Sequence, residues 1–167
     1  MFDFIRRWMG KPVPQPGTTV PKDGTVVPPP KPLPRGLRNA NPLNVRYTGD
    51  SWVGLAGVDG GGFCIFDTPQ NGIRAACIVL RNYERKYHLD TVRMIINRWA
   101  PPNENDTGAY IRHVAAVLDV HPDERIDVHN RETLARLVRA MIQMETGERN
   151  PYMPSIVMSG VDAALRA

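Results

Sequence analysis

From Thr68 onward, apolar residues recur at three- and four-residue spacings, and capping residues or prolines divide that pattern into helices. Thr68-Pro69 offers a capping hydroxyl followed by a proline suited to the first helical turn. The segment behind it brings Ile73, Ala76, Cys77, Leu80 and Tyr83 or Tyr87 to one face. Asp90 is expected to cap a second helix with Val92, Ile95, Ile96 and Trp99 inward, and Pro101-Pro102 to stop it. A third helix after Asp106 buries Tyr110, Ile111, Val114 and Leu118. A fourth runs from about Asn130 to Glu145-Thr146-Gly147, and a fifth after Pro154 places Ile156, Val161 and Leu165 inward. Before Thr68 the pattern changes. Asn, Pro and Gly punctuate short apolar groups at Val45-Arg46-Tyr47 and Ser51-Trp52-Val53, which suits short strands and turns. Gly60-Gly61-Gly62 leads into Phe63-Cys64-Ile65-Phe66, a further strand candidate. The predicted fold class is mainly α with a small β element.

The first 36 residues break the pattern altogether. Residues 1–9 form an apolar-basic segment in which Phe4, Ile5, Trp8 and Met9 would share a helical face. So short a helix needs a partner, which makes the segment a docking peptide or a peripheral membrane foot. Residues 10–36 are a linker: of the chain's 16 prolines, nine lie between Pro12 and Pro34, and such a segment is extended and semi-rigid. Residues 37–167 are expected to form the folded domain. Charge divides along the same boundary. Through Arg38 the chain carries seven Lys or Arg against two Asp, whereas the remainder has fourteen basic and fifteen acidic residues. The net charge of +4 therefore belongs to the arm, and no nucleic-acid partner is expected for the domain. Cys64 and Cys77 have no zinc-type spacing and are read as buried free thiols, with a disulfide as the alternative. No metal or cofactor is implied. No run of 18 apolar residues exists.

One residue of the fourth helix is out of place. Glu145 lies within about 40° of Leu134, Val138 and Met141 on the helical wheel, so its carboxylate shares the oily face. It also sits at the helix C-terminus, where the macrodipole disfavours negative charge. Both effects penalise the ionised form, which is what a general acid at neutral pH requires. The competing reading is a structural glutamate satisfied by an arginine or a backbone amide.

Three segments at element boundaries are rich in residues that handle polar ligands: Asn-Pro-Leu-Asn-Val-Arg-Tyr (41–47), Trp-Ala-Pro-Pro-Asn-Glu-Asn-Asp-Thr (99–107) and Met-Glu-Thr-Gly (144–147). Glu104 is a candidate second carboxylate, or else an exposed acid at a helix N-terminus. Two carboxylates about 5–5.5 Å or 6.5–9.5 Å apart fit retaining or inverting glycoside cleavage respectively. Asn41, Asn44, Arg46, Tyr47, Trp52, Phe63, Asn105, Tyr110 and Tyr152 are the substrate-binding candidates. Tyr110, like Trp99, sits at a core-packing position, and Trp52 is the better placed aromatic for a ligand. The four histidines form no metal spacing, and no serine lies in a nucleophile elbow.

At these segments the chain resembles a family of phage virion lysins. The resemblance rests on Arg-Gly-Leu-Arg-Asn-Ala-Asn-Pro-Leu-Asn-Val-Arg-Tyr (35–47), Gly-Gly-Phe-Cys-Ile-Phe (61–66) with Gly-Ile-Arg-Ala (72–75), and Trp-Ala-Pro-Pro-Asn-Glu-Asn-Asp-Thr-Gly-Ala-Tyr-Ile (99–111). It covers residues 35–167 and leaves out the arm. Leu43 stands where glycine is expected, Asn103 where serine is usual, and Met144 where histidine commonly precedes the glutamate. The resemblance implies a lysozyme-like, peptidoglycan-cleaving domain, carried in the virion and acting at the host cell wall. Residues 1–36 would then bind virion structural proteins. In lysozyme-like transglycosylases a helix ending in the catalytic Glu precedes a Gly-rich β segment and a Tyr-bearing helix. Here the β segment and Tyr110 come first, the order of a circularly permuted domain. Glu145 is then the acid, with Glu104 its rival. Muramidase, lytic transglycosylase and endopeptidase activities all remain open, as does a non-catalytic wall-binding or structural role.

Overall fold

A computed structural model describes residues 32–102, 106–149 and 151–167. The docking segment and nearly all of the linker therefore lie outside the described residues, as do Glu104 and Asn105. Leu33–Ala167 is one compact unit. Its element order is α1 (Arg35–Arg38), β1 (Leu55–Val58), β2 (Cys64–Phe66), α2 (Pro69–Tyr87), α3 (Val92–Trp99), α4 (Thr107–Leu118), α5 (Arg131–Thr146) and α6 (Pro154–Leu165). The mainly α architecture with a small β element is what the periodicity predicts.

Local chemistry sets the helix ends. Thr68 accepts from the Asn71 amide with Pro69 in the first turn, Asp106 accepts from Ala109 N at 2.9 Å, and Asn130 accepts from Glu132 N and Thr133 N. The cap of α3 is Thr91, whose hydroxyl takes the Met94 amide at 3.2 Å, not Asp90. Asp90 is drawn instead to Arg125, 2.5 Å away. α5 ends at Gly147, whose φ of 68° makes the left-handed cap.

α2 is the central strut, packed against α6, while α5 packs on both α4 and α6. The α2–α6 approach depends on Gly160: a Cβ there would lie 2.7 Å from Ile73 Cγ2 and 2.8 Å from the Gln70 carbonyl. The core comprises Ile73, Leu80, Ile95, Ile96, Val114, Leu134, Leu137, Val138 and Met141 among others, with Cys64 and Cys77 buried as free thiols. Burial pushes the Cys77 thiol up to about 12, leaving it inert at neutral pH.

The β element differs from the sequence expectation. β1 is Leu55–Val58, paired antiparallel to β2 with Leu55 opposite Phe66 and Val58 opposite Cys64. Residues 51–53 form no strand, because the chain turns at Gly54 with φ 73° before pairing begins. Residues 45–47 contribute only a bridge between Arg46 and Phe63, flanked by Cys64 N to Val45 O and Tyr47 N to Gly62 O. Leu43 is fully buried and anchors this segment in the core. The positive φ falls on the next residue, Asn44 (51°), a type that tolerates it, so leucine fits at 43.

Candidate functional site

Four elements meet at Glu145. The carboxylate leaves the last turn of α5 half-buried, as its wheel position predicts. Its Oε1 accepts the indole N–H of Trp99, from the end of α3, at 3.1 Å. The same oxygen accepts the phenol of Tyr110, from α4, at 3.1 Å. Oε2 accepts the Asn44 amide at 2.9 Å. All three donors are uncharged. Among the described residues no arginine or lysine forms an ion pair with Glu145, so the salt-bridged alternative is not the arrangement found. Burial first, then the neighbouring Glu145 charge and hydrogen bond, push the Tyr110 phenol above its ordinary value, so it stays protonated and donating. Its hydroxyl also lies 3.4 Å from the Met141 carbonyl.

Glu145 lines a cleft of about 520 Å³ together with Asn44, Arg46, Trp52, Phe63, Trp99 and others. One wall is the 43–52 segment with Phe63, and the facing wall comes from α2 and α3 through Tyr83, Arg98 and Trp99. Tyr83 and Trp99 stack edge to face, 6.3 Å between centroids. Two buried polar atoms of lining residues have no partner among the described residues: Asn44 Oδ1 and Trp52 Nε1. Unmet groups of this kind cost roughly 1–3 kcal/mol each. Asp50 also lines the cleft, accepting the Thr48 hydroxyl at 2.5 Å. Among the described residues no group of three His, Cys, Asp or Glu side chains converges to hold a metal ion.

The predicted site residues separate into three sets. Glu145, Asn44, Arg46, Trp52 and Phe63 line the cleft, and Tyr110 reaches Glu145 from beneath it. Asn41 does not face a ligand: it is fully buried, and its amide clamps Val45 N, Val45 O and Cys64 O, each at 2.9 Å. Its work is to hold the turn that presents Asn44. Tyr152 lies in a separate small depression with Arg139, Ile142, Pro151 and Val157, and Tyr47 is 44% exposed outside the cleft lining. Glu104 and Asn105 are outside the described residues. Sequence reasoning missed Trp99 as a donor, and Asp50 and Arg98 as lining residues. The only signal for Trp99 was its indole nitrogen, because its helical spacing marks it as core.

No family model matches the chain. Protein P5 of Pseudoalteromonas phage PM2 is 41% identical over 132 residues, an overlap that covers 77% of this chain and 80% of the phage protein. At that identity and coverage, the chain belongs to the family of phage PM2 Protein P5.

Proposed function

We propose that this is a virion-associated peptidoglycan hydrolase with a lysozyme-like domain, cleaving the glycan backbone between N-acetylmuramic acid and N-acetylglucosamine. The carrying observation is Glu145 itself: a carboxylate fixed by three uncharged donors inside an aromatic-lined cleft. Three uncharged donors fix the carboxylate in the cleft without tying it into an ion pair. Each carboxylate oxygen has two lone-pair sites. Oε1 already receives two hydrogen bonds and Oε2 one, so Oε2 is the oxygen with room for a proton. Trp52 and Trp99 supply flat apolar faces of the kind sugar rings pack against. Membership of a phage protein family supports the virion setting.

The reaction starts with Glu145 protonating the glycosidic oxygen as the C–O bond breaks. The carboxylate then takes a proton back, either from the substrate's own 6-hydroxyl as it closes an anhydro ring, or from a water molecule. The second route calls for another carboxylate. Glu104 holds that role in the sequence pattern, and Asp50 is already in the cleft. Incubating purified sacculi with wild type, Glu145→Gln, Glu104→Gln and Asp50→Asn, and weighing the released fragments, separates the outcomes. Loss of lysis in Glu145→Gln is expected. Unchanged lysis in that variant overturns the assignment. Stem peptides released from intact glycan would mean an endopeptidase, and an inert wild type that binds sacculi a wall-binding module.

A further inference from the structure

The cleft's two arginines point to a charged substrate. We propose that Arg46 and Arg98 bind carboxylate groups on the glycan, so that the cleft selects an anionic polymer over a neutral N-acetylhexosamine chain. This rests on reading the cleft as glycan-binding. Both side chains line it, Arg46 from the 43–52 wall and Arg98 from the end of α3. Each guanidinium is held over an aromatic face. Arg46 Cζ lies 4.3 Å from the Phe63 centroid, and Arg98 Cζ lies 3.9 Å from that of Tyr87 and 5.0 Å from that of Tyr83. A guanidinium stacked in this way is held through its face, while its five N–H donors lie in the plane of the group. Arg46 commits one nitrogen to the Gly61 carbonyl at 3.2 Å. The in-plane fork is the geometry that accepts a carboxylate in bidentate fashion.

Four other arginines are already committed to carboxylates. Arg35 (which stacks on Phe63 as well, at 4.4 Å) lies 3.8 Å from Asp59, and Arg93, Arg125 and Arg131 pair with Asp123, Asp90 and Asp162. Among the described residues Arg46 and Arg98 pair with no carboxylate. The cleft's own acids, Glu145 and Asp50, form no ion pair with them and take their hydrogen bonds from Asn44, Trp99, Tyr110 and Thr48 instead. Peptidoglycan offers carboxylates from two sources: the lactyl group on each muramic acid ring, and the peptide stems attached to it.

Three oligosaccharides of equal length distinguish them: strands with stems, strands stripped of stems by an amidase, and neutral chitin oligomers. Wild type, Arg46→Gln and Arg98→Gln are compared for kcat and KM, and calorimetric binding to the same three ligands is measured with Glu145→Gln alone and combined with each arginine change. Each arginine change is expected to weaken binding of the anionic strands about tenfold, mainly in KM, and to leave chitin oligomers unaffected. A penalty that disappears once stems are removed assigns the contact to the stems. One that persists on stripped strands assigns it to the lactyl group. Equal weakening on chitin, or no preference by the parent protein, overturns the inference. Wild type that cleaves none of the three refutes the catalytic reading instead, and the binding series still decides whether the arginines select carboxylates.

Discussion

Helix α5 carries a cavity on each of two faces. Glu145 lines a cleft of about 520 Å³, whereas Arg136, Ala140 and Gln143 line a groove of about 710 Å³ with His113 and Arg149. Gln143 and Glu145 are two residues apart, about 200° around the helix, which puts the two cavities on different sides. The larger groove has no aromatic lining. Two of its polar contacts are internal, His113 with Gln143 at 3.1 Å and Arg136 with the Val117 carbonyl at 2.6 Å. Among the described residues, the smaller cleft has aromatic faces, a carboxylate and two arginines that form no ion pair, and two unpartnered polar atoms. Volume alone would choose the other face. Unused hydrogen-bonding capacity beside apolar surface is the better guide to a site, because a ligand can satisfy what the fold leaves unsatisfied.

The sharpest way to break this contrast is chemical. Glu145→Gln keeps the shape and the Trp99, Tyr110 and Asn44 neighbours but cannot deliver a proton, and is expected to lower glycan cleavage by about 10²–10⁴-fold. Arg149→Gln, in the larger groove, should leave cleavage within about twofold because it is an exposed substitution away from the cleft. Comparable losses from both would remove the distinction. Next in size is Leu43→Ala. Leu43 is fully buried under the cleft wall, and its truncation should cost about 2–5 kcal/mol in urea unfolding. A loss below about 1 kcal/mol would show that the wall holds its place without this anchor.

Much of the helical scaffold is legible along the chain, because each helix from α2 to α6 carries its own start signal and an apolar stripe. The short α1 has neither and is not predicted. Thr68-Pro69, Asp106 and Asn130 act as the caps their positions suggest. Asp90 does not, since two adjacent residues can both cap and a distant arginine decides between them. β1 is hard to see because Leu-Ala-Gly-Val has no alternation of apolar and polar residues and carries a glycine. The direction of Glu145 follows from helix periodicity, but its donors do not. Trp99, Tyr110 and Asn44 reach it from α3, α4 and a turn 101 residues away in sequence. Asn41 and Asn44 show the same limit. They belong to one motif, yet only tertiary placement separates the buried clamp from the residue that touches the carboxylate.

A smaller effect tests how far Glu145 depends on those donors. Trp99→Phe removes one of two hydrogen bonds to Oε1 while keeping an aromatic ring against Tyr83. The expected loss in kcat is about fivefold to tenfold, corresponding to roughly 1–1.4 kcal/mol, with KM little changed. Tyr110→Phe should behave similarly, because the phenol donates to the same oxygen. If neither substitution alters kcat, the donors position nothing that matters to the chemistry.

The smallest effect concerns a carboxylate handled in the opposite way. Asp162 on α6 receives a forked pair of hydrogen bonds from Arg131 on α5, at 2.5 and 2.9 Å. The Arg131 hydrogen bond is the main reason its carboxyl lies below the ordinary value of 3.8; burial, the next largest influence, opposes it, and the Arg131 and Arg166 charges lower it further. A carboxyl whose folded value is lowered binds its proton more readily in the unfolded chain. Its contribution to stability is therefore complete above about pH 4 and is lost as pH falls through the folded value. The difference in urea midpoint between wild type and Asp162→Asn should accordingly be constant from pH 7 to about pH 5, then shrink toward pH 2.5. The pair is exposed, so the gap will be modest throughout. No gap at pH 7 would mean that the α5–α6 contact relies on hydrogen bonds an amide can also accept and not on charge. Asp162 would then be held by hydrogen bonds alone, as Glu145 is, and the presence of a cation would no longer distinguish the two carboxylates.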